Sequence, residues 1–218
     1  MEEQSKPGKL NVLIGTSGSV ATIKLPTIVQ ELSKYEMLEV QVVTTPSALH
    51  FFEPSQLVTA KGEPVKVWTD EEEWQSWKKI PDPIVHIELR RWADVILVCP
   101  CSANTLAKIS NGLCDNLLTS LIRATNPKDT PVIIFPSMNT LMYEHPLTRK
   151  QIKIVAEEIG IEVNGPISKT LACGDKGLGA MTEWRDIVDL VVTRFLTKKM
   201  SIGNTCENLV ESCRGQRQ

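Results

Sequence analysis

The sequence predicts a doubly wound α/β domain, a parallel sheet covered by helices on both faces. Three observations predict it. Short apolar runs alternate with stretches of helical periodicity from residue 10 to residue 196. One run, Val95 to Cys99, is continuously apolar between Asp94 and Pro100, the mark of a strand buried on both faces. Glycine and asparagine punctuate the junctions, as in Gly15-Thr16-Ser17-Gly18-Ser19 and Asn111-Gly112.

Taken in order, Leu10 to Ile14 reads as a first strand, the glycine turn follows, and Leu25, Ile28, Val29 and Leu32 stand at helical spacing. Val40, Val42 and Thr44 alternate as a second strand, with a short helix expected from Ala48 to Phe52. Between Pro54 and Pro83 the rhythm breaks, and we read an insertion carrying Val65-Lys66-Val67-Trp68 and one short acidic helix. Val95 to Cys99 is the expected central strand. Ser102 to Ser110 and Asp115 to Ala124 read as helices, Pro131 to Phe135 as a strand, and Pro146 to Ile159 as a helix stopped by Gly160. Ile161 to Val163 is a last short strand and Trp184 to Leu196 a final amphipathic helix.

The 218 residues suffice for one sizeable core, so we expect one domain over residues 9–199, a flexible segment 1–8 and a disordered tail 200–218. Hydrophobic residues at 42% and charged residues at 23% match ordinary globular proteins rather than disordered ones. A net charge of −2, from 24 basic and 26 acidic residues, argues against a nucleic-acid partner. No apolar run reaches the roughly 18 residues of a membrane span, and residues 1–9 carry no signal-like apolar region. The expectation is a cytoplasmic protein whose six cysteines are free thiols. The three histidines, His50, His86 and His145, lie too far apart for a metal-ligand spacing, so no metal is expected.

Ligands of such sheets bind beyond the carboxyl ends of the strands, which directs attention to three loops. Gly18-Ser19-Val20 can bind a phosphate through backbone N–H groups at a helix start, or be an ordinary helix-start turn. Pro100-Cys101-Ser102-Ala103-Asn104-Thr105 repeats that pattern, and its Ser102 and Asn104 are equally good capping residues. Pro136-Ser137-Met138-Asn139-Thr140-Leu141-Met142-Tyr143 is the third loop, with methionines that ordinarily serve packing.

These last two loops resemble the Pro-x-Ser-Ala-Asn-Thr and Pro-x-Met-Asn-x-x-Met-Trp motifs of the homo-oligomeric flavin-containing cysteine decarboxylases. With Gly18-Ser19-Val20, His86-Ile87-Glu88-Leu89-Arg90-Arg91 and Ala172-Cys173-Gly174-Asp175, the resemblance covers approximately residues 9–198 and is strongest to the eukaryotic members that act on phosphopantothenoylcysteine. It implies a flavodoxin-like fold, bound FMN, a homotrimer with interfacial active sites, and conversion of 4′-phosphopantothenoylcysteine to 4′-phosphopantetheine in coenzyme A biosynthesis. The chain departs from the motifs at Cys101, usually a smaller or aliphatic residue, and at Tyr143, usually Trp. Both changes preserve apolar packing.

Such a reaction has a definite chemical need. Loss of CO₂ from an N-acylcysteine leaves a carbanion without an electron sink. Prior oxidation of the thiol-bearing carbon to a thioaldehyde places a C=S group β to the carboxylate, and CO₂ then leaves to give an enethiolate. A flavin takes up these reducing equivalents and later returns them, and a nearby acid supplies the proton.

His86 is the expected base or proton relay, since imidazole titrates nearest neutrality; taken alone it can equally be structural. By resemblance Asn139 and Met142 line the carboxylate site and Arg91 supplies a cation, although adjacent arginines are usually surface ion-pair residues. Cys173 is expected to protonate the enethiolate, because in the family this cysteine separates enzymes that finish the reduction from those that stop at the enethiol. The expected cofactor contacts are Gly18, Ser19, Val20, Ser47, Phe51, Ser102, Ala103, Asn104, Thr105 and Ser137. Residues 171–181 read as a glycine-spaced loop that closes over a ligand. Cys99 and Cys114 are expected in the core, His50 and His145 in structural roles, and Asp70-Glu71-Glu72-Glu73 as a solvated helix start. A second reading is a flavin-binding inhibitory subunit of a protein phosphatase, a role some fungal members take. Those members carry long acidic tails, whereas residues 206–218 balance two glutamates with two arginines and contain no acidic run.

Overall fold

A computed structural model describes residues 8–170, 174 and 176–200. Residues 1–7, Cys173, and the tail from 201 onward with Cys206 and Cys213 lie outside the described residues.

Three strands and the turns after them form the heart of the sheet. β1 (Leu10–Thr16) is followed by a 3-10 turn (Val20–Lys24) and α1 (Leu25–Leu32); β4 (Val95–Cys101) by α4 (Ala103–Asn111) and α5 (Leu117–Ala124); and β5 (Val132–Pro136) by α6 (Thr140–Glu144) and α7 (Pro146–Lys153). All three strands are buried along their whole length, as their mainly apolar sequences require. β2 (Leu38–Thr44), β3 (Val67–Trp68) and β6 (Glu162–Val163) complete a six-stranded parallel sheet of order β3-β2-β1-β4-β5-β6. Without the two-residue β3, the order is that of flavodoxin-like folds, with its switch point between β1 and β4. Residues 54–83 are therefore not only an insertion: Val67 and Trp68 pair with Val42 and Val43 at the sheet edge.

The sheet buries two apolar layers. On one face Val12, Ile14, Leu97 and Ile133 pack with Ile28 and Val29 of α1 and with Ile187 and Val191 of α8 (Trp184–Val191). On the other, Leu13, Ile96, Val98 and Ile134 pack with Leu89 of α3 (Val85–Trp92), Leu106 of α4, and Leu118 and Leu121 of α5. Gly15 permits the close approach of α5 to β1, since a Cβ there would stand 2.4 Å from Leu118 Cδ1. An irregularity in the β4–β5 pairing between Val98 and Cys101 shifts the alternation, so Cys99 joins the first layer and Cys101 the second.

Helix ends follow their caps. Ser102 accepts from Thr105 N–H at 3.2 Å at the start of α4, and Gly112, at φ +71°, closes its end. Outside the main sheet, β7 (Ile167–Thr170) and β8 (Lys176–Ala180) form an antiparallel pair. Among the described residues no helix is long and apolar enough to cross a membrane, and no His, Cys, Asp and Glu cluster could hold a metal.

Candidate active site

The carboxyl ends of β1, β4 and β5 lie side by side, and the loops that follow them form one hydrogen-bonded unit. Ser17 makes the first tie: its buried hydroxyl donates to the Pro100 carbonyl at 2.8 Å and accepts from the Ser102 N–H at 2.8 Å. Ser19 makes the second. It caps the 3-10 turn, and its hydroxyl meets that of Ser137 at 3.0 Å. The turn carrying Ser47 comes so close that a Cβ on Gly18 would lie 2.6 Å from Ser47 Oγ, which explains the glycine at that point. Phe51, next to the Ala48–His50 turn, is half-buried, Ala103 begins α4, and Asn104 on its first turn is exposed.

The β7–β8 pair covers the third loop. Met138 N–H donates to the Gly179 carbonyl at 2.9 Å, and a Cβ on Gly179 would stand 2.3 Å from the Met138 carbonyl oxygen. A Cβ on Gly177 would meet Thr140 Oγ1 at 2.6 Å. The glycine spacing of residues 171–181 thus belongs, over Lys176–Ala180, to a strand laid against the third loop rather than to a free loop.

Between these parts lies a cavity of about 370 Å³, walled by Val20, Ile23, Met138, Met181 and Trp184 and edged by Ser19, Ser137, Asn139, Lys24 and Lys169. That volume is in the range of small-molecule sites. Hydroxyls of Ser19, Ser47 and Ser137 at the strand ends, beside an apolar slot, suit a phosphorylated cofactor with a flat ring. Asn139 is oriented by capping α6, its Oδ1 accepting from the Leu141 N–H at 2.9 Å. Met142, half-exposed on α6, does not line the cavity.

His86 and Arg91 sit elsewhere, on α3, and neither lines the cavity. His86 Nδ1 lies 2.5 Å from Oε1 of Glu73 on α2 (Asp70–Ser76), while Arg91 extends from the surface and pairs with Glu88 at 2.7 Å. The acidic run is therefore not simply solvated. Glu71 is exposed, but Asp70 accepts from the Leu117 N–H at 2.8 Å, Glu72 closes a capping box with Thr69, and Glu73 is turned inward to His86.

Burial pushes the Cys99 and Cys101 thiols up to about 12, which leaves both protonated at neutral pH. Cys114, expected in the core, is exposed between Gly112 and the start of α5, where no apolar layer reaches it. His50 is exposed, and His145 caps α7 through Nδ1, which accepts from the Leu147 N–H. Ser17, Glu73, Met181 and Trp184 escaped sequence reasoning. Only Ser17 carried a signal, as the additional hydroxyl in Gly15-Thr16-Ser17-Gly18-Ser19.

Comparison with known proteins gives a consistent set of likenesses. Residues 1–196 match the family described as Flavoprotein. The chain is 47% identical over 184 residues to phosphopantothenoylcysteine decarboxylase of Mus musculus, covering 84% of this chain and 86% of that protein. It is 45% identical over 210 residues to a probable thymidylate synthase of Schizosaccharomyces pombe, but spans only 33% of that longer protein. Among solved structures, a Cys-to-Ser variant of PPC decarboxylase complexed with pantothenoylaminoethenethiol superposes with a TM-score of 0.78 at 48% identity, over 84% of this chain and 96% of that one. The FMN-binding protein AtHal3 superposes with a TM-score of 0.77 at 46% identity, over 87% of this chain and 98% of that one.

Proposed function

The chain belongs to the Flavoprotein family, and from that premise we propose that it is an FMN-dependent decarboxylase converting 4′-phosphopantothenoylcysteine to 4′-phosphopantetheine in coenzyme A biosynthesis. The observation that carries this reading is the tied set of strand-end loops, Ser17 to Ser102 and Ser19 to Ser137, beside an apolar cavity. When bound there, FMN supplies reversible hydride acceptance. Gly18, Ser19, Val20, Ser47 and Phe51, with Ser102 to Thr105 and Ser137, hold the cofactor. Asn139 orients the substrate carboxylate by hydrogen bonding without adding charge, and Met142 flanks it. His86 moves the proton, Arg91 provides the cation, and Cys173 returns a proton to the enethiolate.

The reading includes a homotrimer in the cytoplasm. His86 and Arg91 do not line the cavity of their own protomer, and Trp74, Trp77, Ile80 and Ile84 expose apolar surface beside α3. Val20, Ile23 and Leu141 expose apolar surface beside the cavity. Docking one surface on the other brings α3 of one protomer to the cavity of the next.

Incubation with phosphopantothenoylcysteine, following CO₂ and product mass together, tests the function. Saturated thiol and CO₂ in equal amounts are expected from a yellow protein. Cys173→Ser is expected to accumulate the enethiol, and His86→Asn to lose CO₂ release while keeping its flavin. Flavin binding without any CO₂ would favour the regulatory role instead.

A further inference from the structure

Three acidic neighbours on α2 have ordinary occupations: Asp70 and Glu72 bond to backbone N–H groups, and Glu71 pairs with Gln75 Nε2 at 2.7 Å on the surface. Glu73 differs. Its side chain is only 12% exposed, and it spends that burial on one partner, His86 Nδ1 at 2.5 Å, whose own side chain is 27% exposed. A carboxylate withdrawn from water needs compensation, and here the imidazole supplies it.

Both ends of the pair are held by the same helix. Asp70 accepts from the Leu117 N–H at the start of α5, which anchors α2 there. Val85 and Leu89 of α3 are buried in the layer that contains Leu117, Leu118 and Leu121 of α5. The Thr69–Glu72 capping box and the Lys66–Glu72 ion pair at 2.5 Å then fix the turn on which Glu73 stands. The carboxylate is thus presented to the ring by two elements set on a common support.

We propose that Glu73 is a positioning residue for His86, fixing the ring so that Nδ1 donates to the carboxylate and Nε2 is the nitrogen that exchanges a proton with substrate. An ionised carboxylate only accepts, so the neutral ring bonded to it carries its proton on Nδ1 and leaves Nε2 as an acceptor. Among the described residues Nε2 has no hydrogen-bond partner. The inference rests on the proton-moving role of His86 proposed above; the pairing itself stands on geometry.

The test combines kinetics with ¹⁵N spectra of histidine-labelled holoenzyme, in which three histidines give few signals and His86→Gln identifies those of His86. Wild type is expected to show Nδ1 protonated and Nε2 unprotonated. In Glu73→Ala the proton shifts toward Nε2 in part of the molecules, and kcat falls by about 10-fold or more while KM stays within about 3-fold. Glu73→Gln, whose amide oxygen still accepts from Nδ1, is expected to keep the tautomer and recover part of kcat. It also serves if Glu73→Ala does not fold. An unchanged tautomer in Glu73→Ala, or an unchanged kcat in a variant whose tautomer has shifted, overturns the proposal and leaves the pair as a staple between α2 and α3. Full turnover by His86→Gln overturns it by removing the catalytic reading beneath it, and the wild-type spectrum then shows whether the pairing alone survives.

Discussion

Ser17 Oγ donates to the Pro100 carbonyl at 2.8 Å and so joins the ends of the two strands that flank the switch point. Because the same hydroxyl accepts from the Ser102 N–H, one side chain sets the distance between the first two loops and the start of α4. Ser17→Ala takes the 2.8 Å side-chain bond from the carbonyl, leaving it the longer 3.3 Å bond from Ser17 N–H, and removes the hydroxyl that accepts from Ser102 N–H. The expected loss is about 2 kcal/mol in urea unfolding, since each polar group deprived of its partner costs about 1–3 kcal/mol. Weaker FMN retention on gel filtration should accompany it. Unchanged stability and flavin content would show that the loops are held by something else.

The close approach of Gly179 to Met138 makes a second prediction. With φ at +154° and a Cβ position 2.3 Å from the Met138 carbonyl oxygen, Gly179→Ala cannot keep β8 where it is. The β7–β8 pair should lift from the third loop at a cost of about 1–3 kcal/mol. Among the described residues no hydrogen bond joins Ser17, Ser19 or Ser102 to β8, so flavin occupancy read by absorbance should hold while KM for substrate rises. Loss of flavin with unchanged KM would contradict this division of labour.

What the sequence made legible follows from where structure is locally determined. Val95–Cys99 reads as a central strand because burial on both faces demands an unbroken apolar run, and Ser102 and Gly112 announce α4 through the chemistry of caps. β3 is hidden because two residues have no period; Val67 and Trp68 are a strand only through pairing with Val42 and Val43. β7 and β8 are hidden because Ser168 to Thr170 are exposed, so no alternation marks them, and Gly177 and Gly179 mimic a loop. The strand-end loops of the site could be found, since phosphate-binding and capping share one signature. The partner of His86 could not be, because Glu73 stands in a run of four acids and only the packing of α2 decides which one turns inward.

Asn139 is both a cap and a wall of the cavity, and two substitutions separate these roles. Asn139→Ala removes the bond from the Leu141 N–H and should cost about 1 kcal/mol, the usual worth of an N-cap. Asn139→Asp keeps the cap, so thermal stability should stay close to wild type. Its carboxylate would repel that of the substrate, and kcat/KM should fall at least as far as in the alanine variant. If the aspartate variant turned over normally, the amide would not face the substrate carboxylate.

The buried thiols of β4 predict both a reactivity pattern and a pH dependence. At pH 8 an alkylating agent should modify exposed Cys114 in the native protein and spare Cys99 and Cys101, as peptide masses would show. Their folded-state values of about 12 exceed the ordinary 9.0, so folding favours the protonated form. That stability is intact below about pH 9, where the unfolded thiols are also protonated. It declines as pH rises above that point, because only the unfolded chain releases its protons. The slope is about 1.4 kcal/mol per thiol for each pH unit, or about 3 kcal/mol for the two together at pH 10. Urea unfolding at pH 8 and pH 10 should reveal the loss, and the Cys99→Ala, Cys101→Ala double variant, though less stable throughout, should show a correspondingly flatter pH dependence. An equal slope in that variant would assign the alkaline loss to other groups.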